Sequence, residues 1–244
     1  IANVIILMII MLCGIMVAFA EGTDEYIEVT GSYSDYGTSR TSGFIYSDSM
    51  LLNGSTTMSG DLCKASVVLA CAAYNETYVS NMLKQMRYES KAYDYTSRSL
   101  ENNDRVAYTI GKKEQDGYVF YCVVVRGTDK NCEWFSNFNV GDPYSNNGEH
   151  EGFHLAAKKV WETLDTYLSN DGYSKDRRII WFTGHSRGAA VANILAAHYS
   201  SNQLYAPQRN IFGYTFACPS ISKSDRIVED SYSNIYNFNN YDDL

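Results

Sequence analysis

The sequence predicts an α/β fold in which helices flank a mostly parallel sheet. Two observations support it: short apolar segments typical of buried strands alternate with segments of helical periodicity, and the connections are long enough for crossover helices. We expect strands at 105–112, 117–125, 178–183, 211–217 and 234–239, and helices at 61–88, 153–168 and 186–199. Because 45% of the 244 residues are hydrophobic, the chain can bury a full core.

The N-terminal segment, residues 1–20, has the character of a signal peptide. It is apolar and uncharged, ends in the small-x-small triplet Ala18-Phe19-Ala20, and is followed by polar residues. We therefore expect cleavage after Ala20 and export. An uncleaved membrane anchor is the alternative, since about 20 apolar residues span a bilayer. No positive charge precedes the apolar run, so the sequence is expected to begin inside a longer chain.

Residues 21–58 are rich in Ser, Thr, Gly and Tyr and show little apolar periodicity. We expect this segment to be a loosely ordered polar leader that can pack across the domain. Helical periodicity begins soon after it. The predicted organisation is therefore a signal peptide over 1–20, a leader over 21–58 and one folded domain over 59–244.

The charge and the cysteines exclude several classes of function. A net charge of −8 argues against a protein that binds nucleic acid, which would present a basic surface. The six cysteines form no CxxC pair and no Cys/His cluster, so we expect neither a metal site nor a cofactor. On one helix, Cys63 and Cys71 would stand about 12 Å apart, beyond the reach of a disulfide.

The segment 184–188 (GHSRG) joins a predicted strand to a predicted Ala-rich helix. A nucleophile on such a tight turn needs small neighbours two positions away, and Gly184 and Gly188 are at those positions. The helix N-terminus would also direct N–H groups toward a developing oxyanion. The segment predicts that Ser186 is the nucleophile of an α/β-hydrolase fold; chance occurrence of the GxSxG string is the alternative.

Four further segments make the pattern more specific. They are 123–128 (VVVRGT), 150–153 (HEGF), 215–219 (TFACP) and 240–244 (NYDDL). Together with the GxSxG segment, and in this order, they resemble the class 3 lipase family, the fungal-type triacylglycerol lipases and their bacterial relatives. The resemblance extends from the helix near Asp61 to the last residue.

The resemblance implies a role for each matching residue. Ser186 would attack an ester carbonyl and form an acyl-enzyme. The backbone N–H of Arg187, where the family usually has Leu, and that of Thr128 would form the oxyanion hole. Residues 129–138 correspond to the family's lid, in which Trp134 and Phe135 could meet a lipid surface; burial of both rings is the alternative.

The acid and the base of the triad follow from the same resemblance. Asp243 fits the acid if Val follows Leu244, and Asp242 fits if Leu244 replaces that Val; we favour Asp243. In this fold the order is serine, acid, histidine. All histidines of the sequence precede the acid: His150, His154, His185 and His198. The catalytic histidine is therefore expected beyond residue 244, and residues 1–244 alone are expected to have little or no activity.

These observations predict a secreted serine carboxylic-ester hydrolase that acts on lipid or other acyl esters and makes transient contact with a lipid surface. The alternative is a non-catalytic binding or cell-surface protein on a hydrolase scaffold. Acylglycerols, phospholipids and acylated polysaccharides all stay open as substrates, because substrate pockets lie on loops that motifs do not define.

Overall fold

A computed structural model of the 244-residue chain defines the fold. The residues that the structure describes are 25–35, 38–96, 106–128, 150–221 and 230–240. The predicted signal peptide, the predicted lid segment and the two candidate acids, Asp242 and Asp243, lie outside these residues.

Eight strands and five α-helices are present in the described residues. In chain order they are β1 (Ile27–Asp35), β2 (Thr38–Tyr46), α1 (Ser49–Leu52), α2 (Gly60–Ala72), α3 (Glu76–Gln85), β3 (Glu89–Tyr93), β4 (Tyr108–Gln115), β5 (Tyr118–Val125), α4 (Glu151–Asn170), β6 (Arg178–His185), α5 (Arg187–Asn202), β7 (Ile211–Phe216) and β8 (Ile235–Phe238). None of the helices in these ranges is long and apolar enough to cross a bilayer.

Six of the strands form the central sheet, in the order β3-β4-β5-β6-β7-β8. The four strands from β5 to β8 pair in parallel, whereas β3 and β4 add antiparallel strands at one edge. The expected mostly parallel sheet with flanking helices is confirmed. Because β5 to β8 run the same way, their carboxyl ends meet at one edge, where open α/β sheets bind ligands.

Helices cover both faces of the sheet and bury two apolar layers. One layer contains α2, α3 and the β1–β2 hairpin, and the other contains α4 and α5. Successive side chains of β5 enter opposite layers: Phe120, Cys122 and Val124 the first, and Val119, Tyr121, Val123 and Val125 the second. A strand buried on both faces needs apolar residues at nearly every position, which explains the continuous apolar run of β5.

The expectation of a loosely ordered leader is wrong for residues 27–46. These residues form an antiparallel hairpin in which Val29 lies opposite Phe44. Val29, Phe44 and Tyr46 are buried, and the ring of Tyr46 stacks on Trp181 of β6 with centroids 6.3 Å apart. Only one side of each of these strands faces the core. The polar residues on the outward side therefore obscured the apolar alternation by which a strand is recognised in a sequence. The domain boundary at residue 59 stays a prediction.

The long helix expected over 61–88 is two helices, α2 and α3. The second helix begins after Asn75, whose Oδ1 accepts hydrogen bonds from the N–H groups of Thr77 (2.9 Å) and Tyr78 (3.4 Å). An Asn at an N-cap begins a new helix, and the apolar periodicity of the sequence continues on both sides of it. Periodicity alone therefore did not reveal the break. Cys63 and Cys71 both lie on α2, the case in which their spacing excludes a disulfide between them.

An ion pair joins the end of α4 to the start of β6. The guanidinium of Arg178 donates to both carboxylate oxygens of Asp171, at 2.6 and 2.8 Å, and to the carbonyl of Leu168 at 2.8 Å. The Asp171 side chain is 1% exposed and that of Arg178 is 11% exposed. Burial alone would raise the pKa of Asp171, but hydrogen bonds from Arg178, the Tyr173 N–H and the Tyr121 hydroxyl lower it below its ordinary value.

We predict that Arg178→Met lowers the free energy of unfolding by about 3 kcal/mol at neutral pH, because it leaves the Asp171 charge buried. Urea unfolding of both proteins measures the loss. Lys158→Met is the control: Lys158 faces Glu162 at 4.0 Å in an exposed pair, worth less than about 0.5 kcal/mol.

The same ion pair sets a pH dependence. Because the pKa of folded Asp171 is lowered, its stabilisation is complete above the ordinary carboxyl pKa and is lost as the pH falls through the lowered value. The difference between wild type and Arg178→Met should therefore shrink on acidification. Equal losses in the two variants, or a difference that grows in acid, would contradict this role.

Candidate active site

Ser186 lies on the turn between β6, which ends at His185, and α5, which begins at Arg187. Its φ of 55° and ψ of −128° are rarely adopted by residues other than glycine. The Ser186 N–H donates to the carbonyl of Phe216 on β7 at 2.9 Å, and its carbonyl accepts from the Ala189 N–H at 2.8 Å. A strained residue held on both sides in this way is frequent at functional sites.

Gly184 and Gly188 allow the strand and the helix to approach closely. A Cβ on Gly184 would overlap the carbonyl of Gly188, and one on Gly188 would overlap the carbonyl of Val125. Both collisions are with backbone, which cannot rotate away as a side chain can. The close approach that the GxSxG spacing predicted is therefore present in the structure.

Arg187 is the first residue of α5. N–H groups in the first turn of a helix have no carbonyl partner within that helix, so they direct a partial positive charge out of its N-terminus. The backbone of Arg187 thus suits an oxyanion. Its side chain is 1% exposed and lies inside the protein, although the sequence predicted a role only for its backbone.

Thr128 follows the carboxyl end of β5 and is half-buried. β5 and β6 pair up to Val125 opposite Gly184. Just beyond that pair, a Cβ on Gly127 would stand only 2.7 Å from the carbonyl oxygen of His185. The structure therefore brings the two segments that carry the predicted oxyanion donors to the same edge of the sheet.

The carboxyl ends of β7 and β8 are held together by asparagine side chains. The Asn239 Oδ1 accepts from the Cys218 N–H at 2.7 Å. The Asn237 Oδ1 accepts from the Asn193 amide at 2.7 Å and from the Thr215 hydroxyl. These contacts fix the strand end that precedes the predicted acid turn. Sequence reasoning missed Asn193 and Asn237, because an isolated Asn in a strand or helix carries no local signal of its partner.

All four histidines lie in described residues. His150 caps the start of α4 and its ring stacks on Phe153. His154 and His198 both contact the ring of Trp161, with centroids 5.5 and 4.3 Å away. His198 lies twelve residues beyond Ser186 on α5, about 18 Å along a helix.

Cys218 lies two residues beyond the carboxyl end of β7. Burial raises the pKa of the Cys218 thiol to about 12. It is therefore protonated at neutral pH and a poor nucleophile. No set of three or more His, Cys, Asp or Glu residues in the described ranges is placed to hold a metal ion. At this edge the Cys218 thiol is thus a weaker candidate nucleophile than the Ser186 hydroxyl.

A serine on a strained strand-to-helix turn, at the carboxyl edge of a parallel sheet and followed by a helix N-terminus, defines the class of α/β-hydrolases. The family assignment is more specific. The model of the class 3 lipase family matches residues 122–244, and the chain belongs to this family of lipase-type hydrolases. The resemblance expected from the motifs is confirmed.

Comparison with solved structures agrees with this fold. A fungal lipase–inhibitor complex, described as a model for interfacial activation in lipases, superposes with a TM-score of 0.51 at 14% identity, over 75% of this chain and 71% of the other. Lipase II from Rhizopus niveus superposes with a TM-score of 0.49 at 14% identity, over 86% of this chain and 73% of the other. A lipase from Rhizopus microsporus var. chinensis superposes with a TM-score of 0.48 at 18% identity, over 75% of this chain and 67% of the other. A sequence comparison with curated proteins finds no match.

The strain at Ser186 predicts an unusual order of stability among its variants. Glycine adopts positive φ without the penalty that a Cβ causes, so Ser186→Gly should be at least as stable as Ser186→Ala. Ser80 in the middle of α3 is the control, because there Gly should be less stable than Ala by about 1 kcal/mol. Urea midpoints of the four variants measure both comparisons. If Gly is the less stable residue at both positions, Ser186 is not strained in solution.

Proposed function

We propose that this protein is a lipase-type serine carboxylic-ester hydrolase that forms an acyl-enzyme on Ser186. The observation that carries the proposal is the backbone of Ser186, held at φ 55° between two glycines that tolerate no Cβ. This conformation costs stability, and Ser186 is half-buried rather than one of the buried core residues that the structure describes. Membership of the class 3 lipase family supports the same reaction.

In the proposed reaction the Ser186 Oγ attacks the ester carbonyl carbon while a histidine takes its proton. The carbonyl oxygen becomes an oxyanion that accepts hydrogen bonds from the backbone N–H groups of Arg187 and Thr128. The histidine then protonates the leaving alcohol. Water, activated by the same histidine, hydrolyses the acyl-enzyme, so that one ester and one water give one acid and one alcohol.

The acid and the base complete the proposal. Asp243, with Asp242 as the alternative, would hold the histidine in one tautomer and stabilise its protonated form. The base would be a histidine that follows this acid in the full-length chain, since the chain order of this fold places it last. Contacts with Trp161 occupy the rings of His154 and His198 on the flanking helices.

The proposed substrate is a lipid or another acyl ester. The fungal lipase with which this fold superposes is described in terms of interfacial activation. By extension, the segment 129–138 with Trp134 and Phe135 would meet a lipid surface. Transfer of such apolar side chains from water into an acyl layer lowers the free energy of the system.

A fluorophosphonate probe tests the nucleophile directly. In the full-length protein one serine should be labelled, and peptide mapping should place the label between Gly184 and Gly188, because an activated serine reacts far faster than the surface serines. Ser186→Ala should abolish labelling and lower kcat for an ester by at least about a thousand-fold. Ser201→Ala, which removes an exposed hydroxyl at the far end of α5, should react as the wild type. A folded Ser186→Ala protein with full activity would refute the hydrolase proposal.

We also propose that the protein is exported and that signal peptidase removes residues 1–20. The support is the uncharged apolar run that ends in Ala18-Phe19-Ala20. Protein recovered from the medium of expressing cells should begin at Glu21 when its N-terminus is sequenced. Retention in the membrane fraction with residues 1–20 still attached would show that this segment is an anchor instead.

A further inference from the structure

Tyr74 reaches the active-site turn from the helical layer that covers the sheet. It lies on the short turn between α2 and α3, one residue before the cap Asn75. Its hydroxyl is 2.9 Å from the Nδ1 of His185, with the two ring centroids 6.0 Å apart. His185 is the residue directly before Ser186. A side chain from a different layer is therefore bonded to the turn that carries the proposed nucleophile.

The same hydroxyl lies against the end of β5. A Cβ on Gly127 would overlap the Tyr74 hydroxyl and would stand 2.9 Å from the ring carbon that bears it. Gly127 is thus required for space, because Tyr74 and the His185 carbonyl together fill the volume a side chain would need. Since Gly127 directly precedes Thr128, Tyr74 touches both segments that carry the proposed oxyanion donors.

The regular backbone ladder between β5 and β6 ends just before Gly127 and His185. The ladder between β5 and β6 ends with Val125 opposite Gly184. The next N–H of the strand, that of Arg126, donates to the carbonyl of Ala107 on the other side, at 2.9 Å. Past the end of the ladder, the hydroxyl of Tyr74 lies between the two segments.

We propose that Tyr74 is a positioning residue that sets the separation of the Thr128 and Arg187 N–H groups, through its hydrogen bond to His185 and its contact with Gly127. This inference rests on the proposed function and names a further residue for the same site. Oxyanion donors act only when they are held about 2.7–3.1 Å from the position of the oxyanion before the reaction begins. A hydroxyl that spans both segments supplies that rigidity.

Loss of the Tyr74 hydroxyl should destabilise the transition state and not the enzyme–substrate complex. The oxyanion exists only after Ser186 has attacked, so a small displacement of the donors raises the barrier without weakening ground-state binding of the ester. Loss of the Tyr74 hydroxyl should therefore lower kcat and leave KM nearly unchanged. A role that is only structural would lower the melting temperature and leave kcat per folded molecule unchanged.

The test compares Tyr74→Phe with Tyr108→Phe in the full-length protein, with p-nitrophenyl butyrate as a soluble ester. Tyr108 is the matched control: it is 1% exposed, and its hydroxyl lies 2.8 Å from the Thr163 Oγ1, between β4 and α4. We expect Tyr74→Phe to lower kcat about ten-fold, less than the roughly hundred-fold loss on removal of a whole donor. KM should stay within about two-fold of wild type. Tyr108→Phe should keep the wild-type kcat.

A second pair of variants covers the case in which Tyr74→Phe does not fold. His185→Asn keeps a polar atom near the position of Nδ1, whereas His185→Leu removes it. If Tyr74 acts through His185, the Asn variant should retain several-fold more kcat than the Leu variant, with similar KM values. Equal kcat losses in these two variants, or wild-type kcat in a folded Tyr74→Phe protein, would overturn the proposal.

Failure of the proposed function would be visible separately. In that case the wild-type protein would neither hydrolyse the ester nor take up the fluorophosphonate at Ser186, before any variant of Tyr74 is compared. An active wild type whose kcat is indifferent to Tyr74 would refute the positioning role alone.

Discussion

The contact between Gly188 and the carbonyl of Val125 places the N-terminus of α5 against the carboxyl ends of β5 and β6. A methyl group at that position would push the helix outward and move its first-turn N–H groups away from the sheet. Further along the helix, a Cβ on Gly213 of β7 would stand 3.0 Å from the Cβ of Ala196. Small residues at both points keep α5 close to the sheet along its length, so the position of Ser186 follows from backbone packing.

This packing also explains how the strain at Ser186 persists. A residue in a sparsely populated backbone region costs about 1–3 kcal/mol, and the turn would relax if α5 were free to shift. Twelve of the sixteen residues of α5 are buried. A shift of the helix would expose apolar surface, and the free energy lost by that exposure would exceed the free energy stored as strain. The hydrogen bonds from Ser186 to Phe216 and from Ala189 to Ser186 then fix the remaining freedom of the turn.

The features that the sequence predicted are those with a local cause. The strand before Ser186, the Ala-rich helix after it and the flanking glycines all lie within about two dozen consecutive residues, so a strand-to-helix turn could be recognised without a structure. The β1–β2 hairpin could not, because its inward residues are few and are buried by a partner, Trp181, more than a hundred residues away. Tyr74 was missed for the same reason: its partner His185 is distant in sequence. The choice between Asp242 and Asp243 stays a prediction.

The two ends of the parallel strands are stabilised by different means. At the amino end of β6, the Arg178–Asp171 ion pair ties strand to helix well away from the site. At the carboxyl end, side chains contact the segments that follow the ladders: Tyr74 beside β5 and β6, Asn239 beside β7 and β8. Side-chain contacts of this kind hold the segments after the strands in place. An oxyanion hole needs such support, because its donors must already be held in position when the substrate arrives.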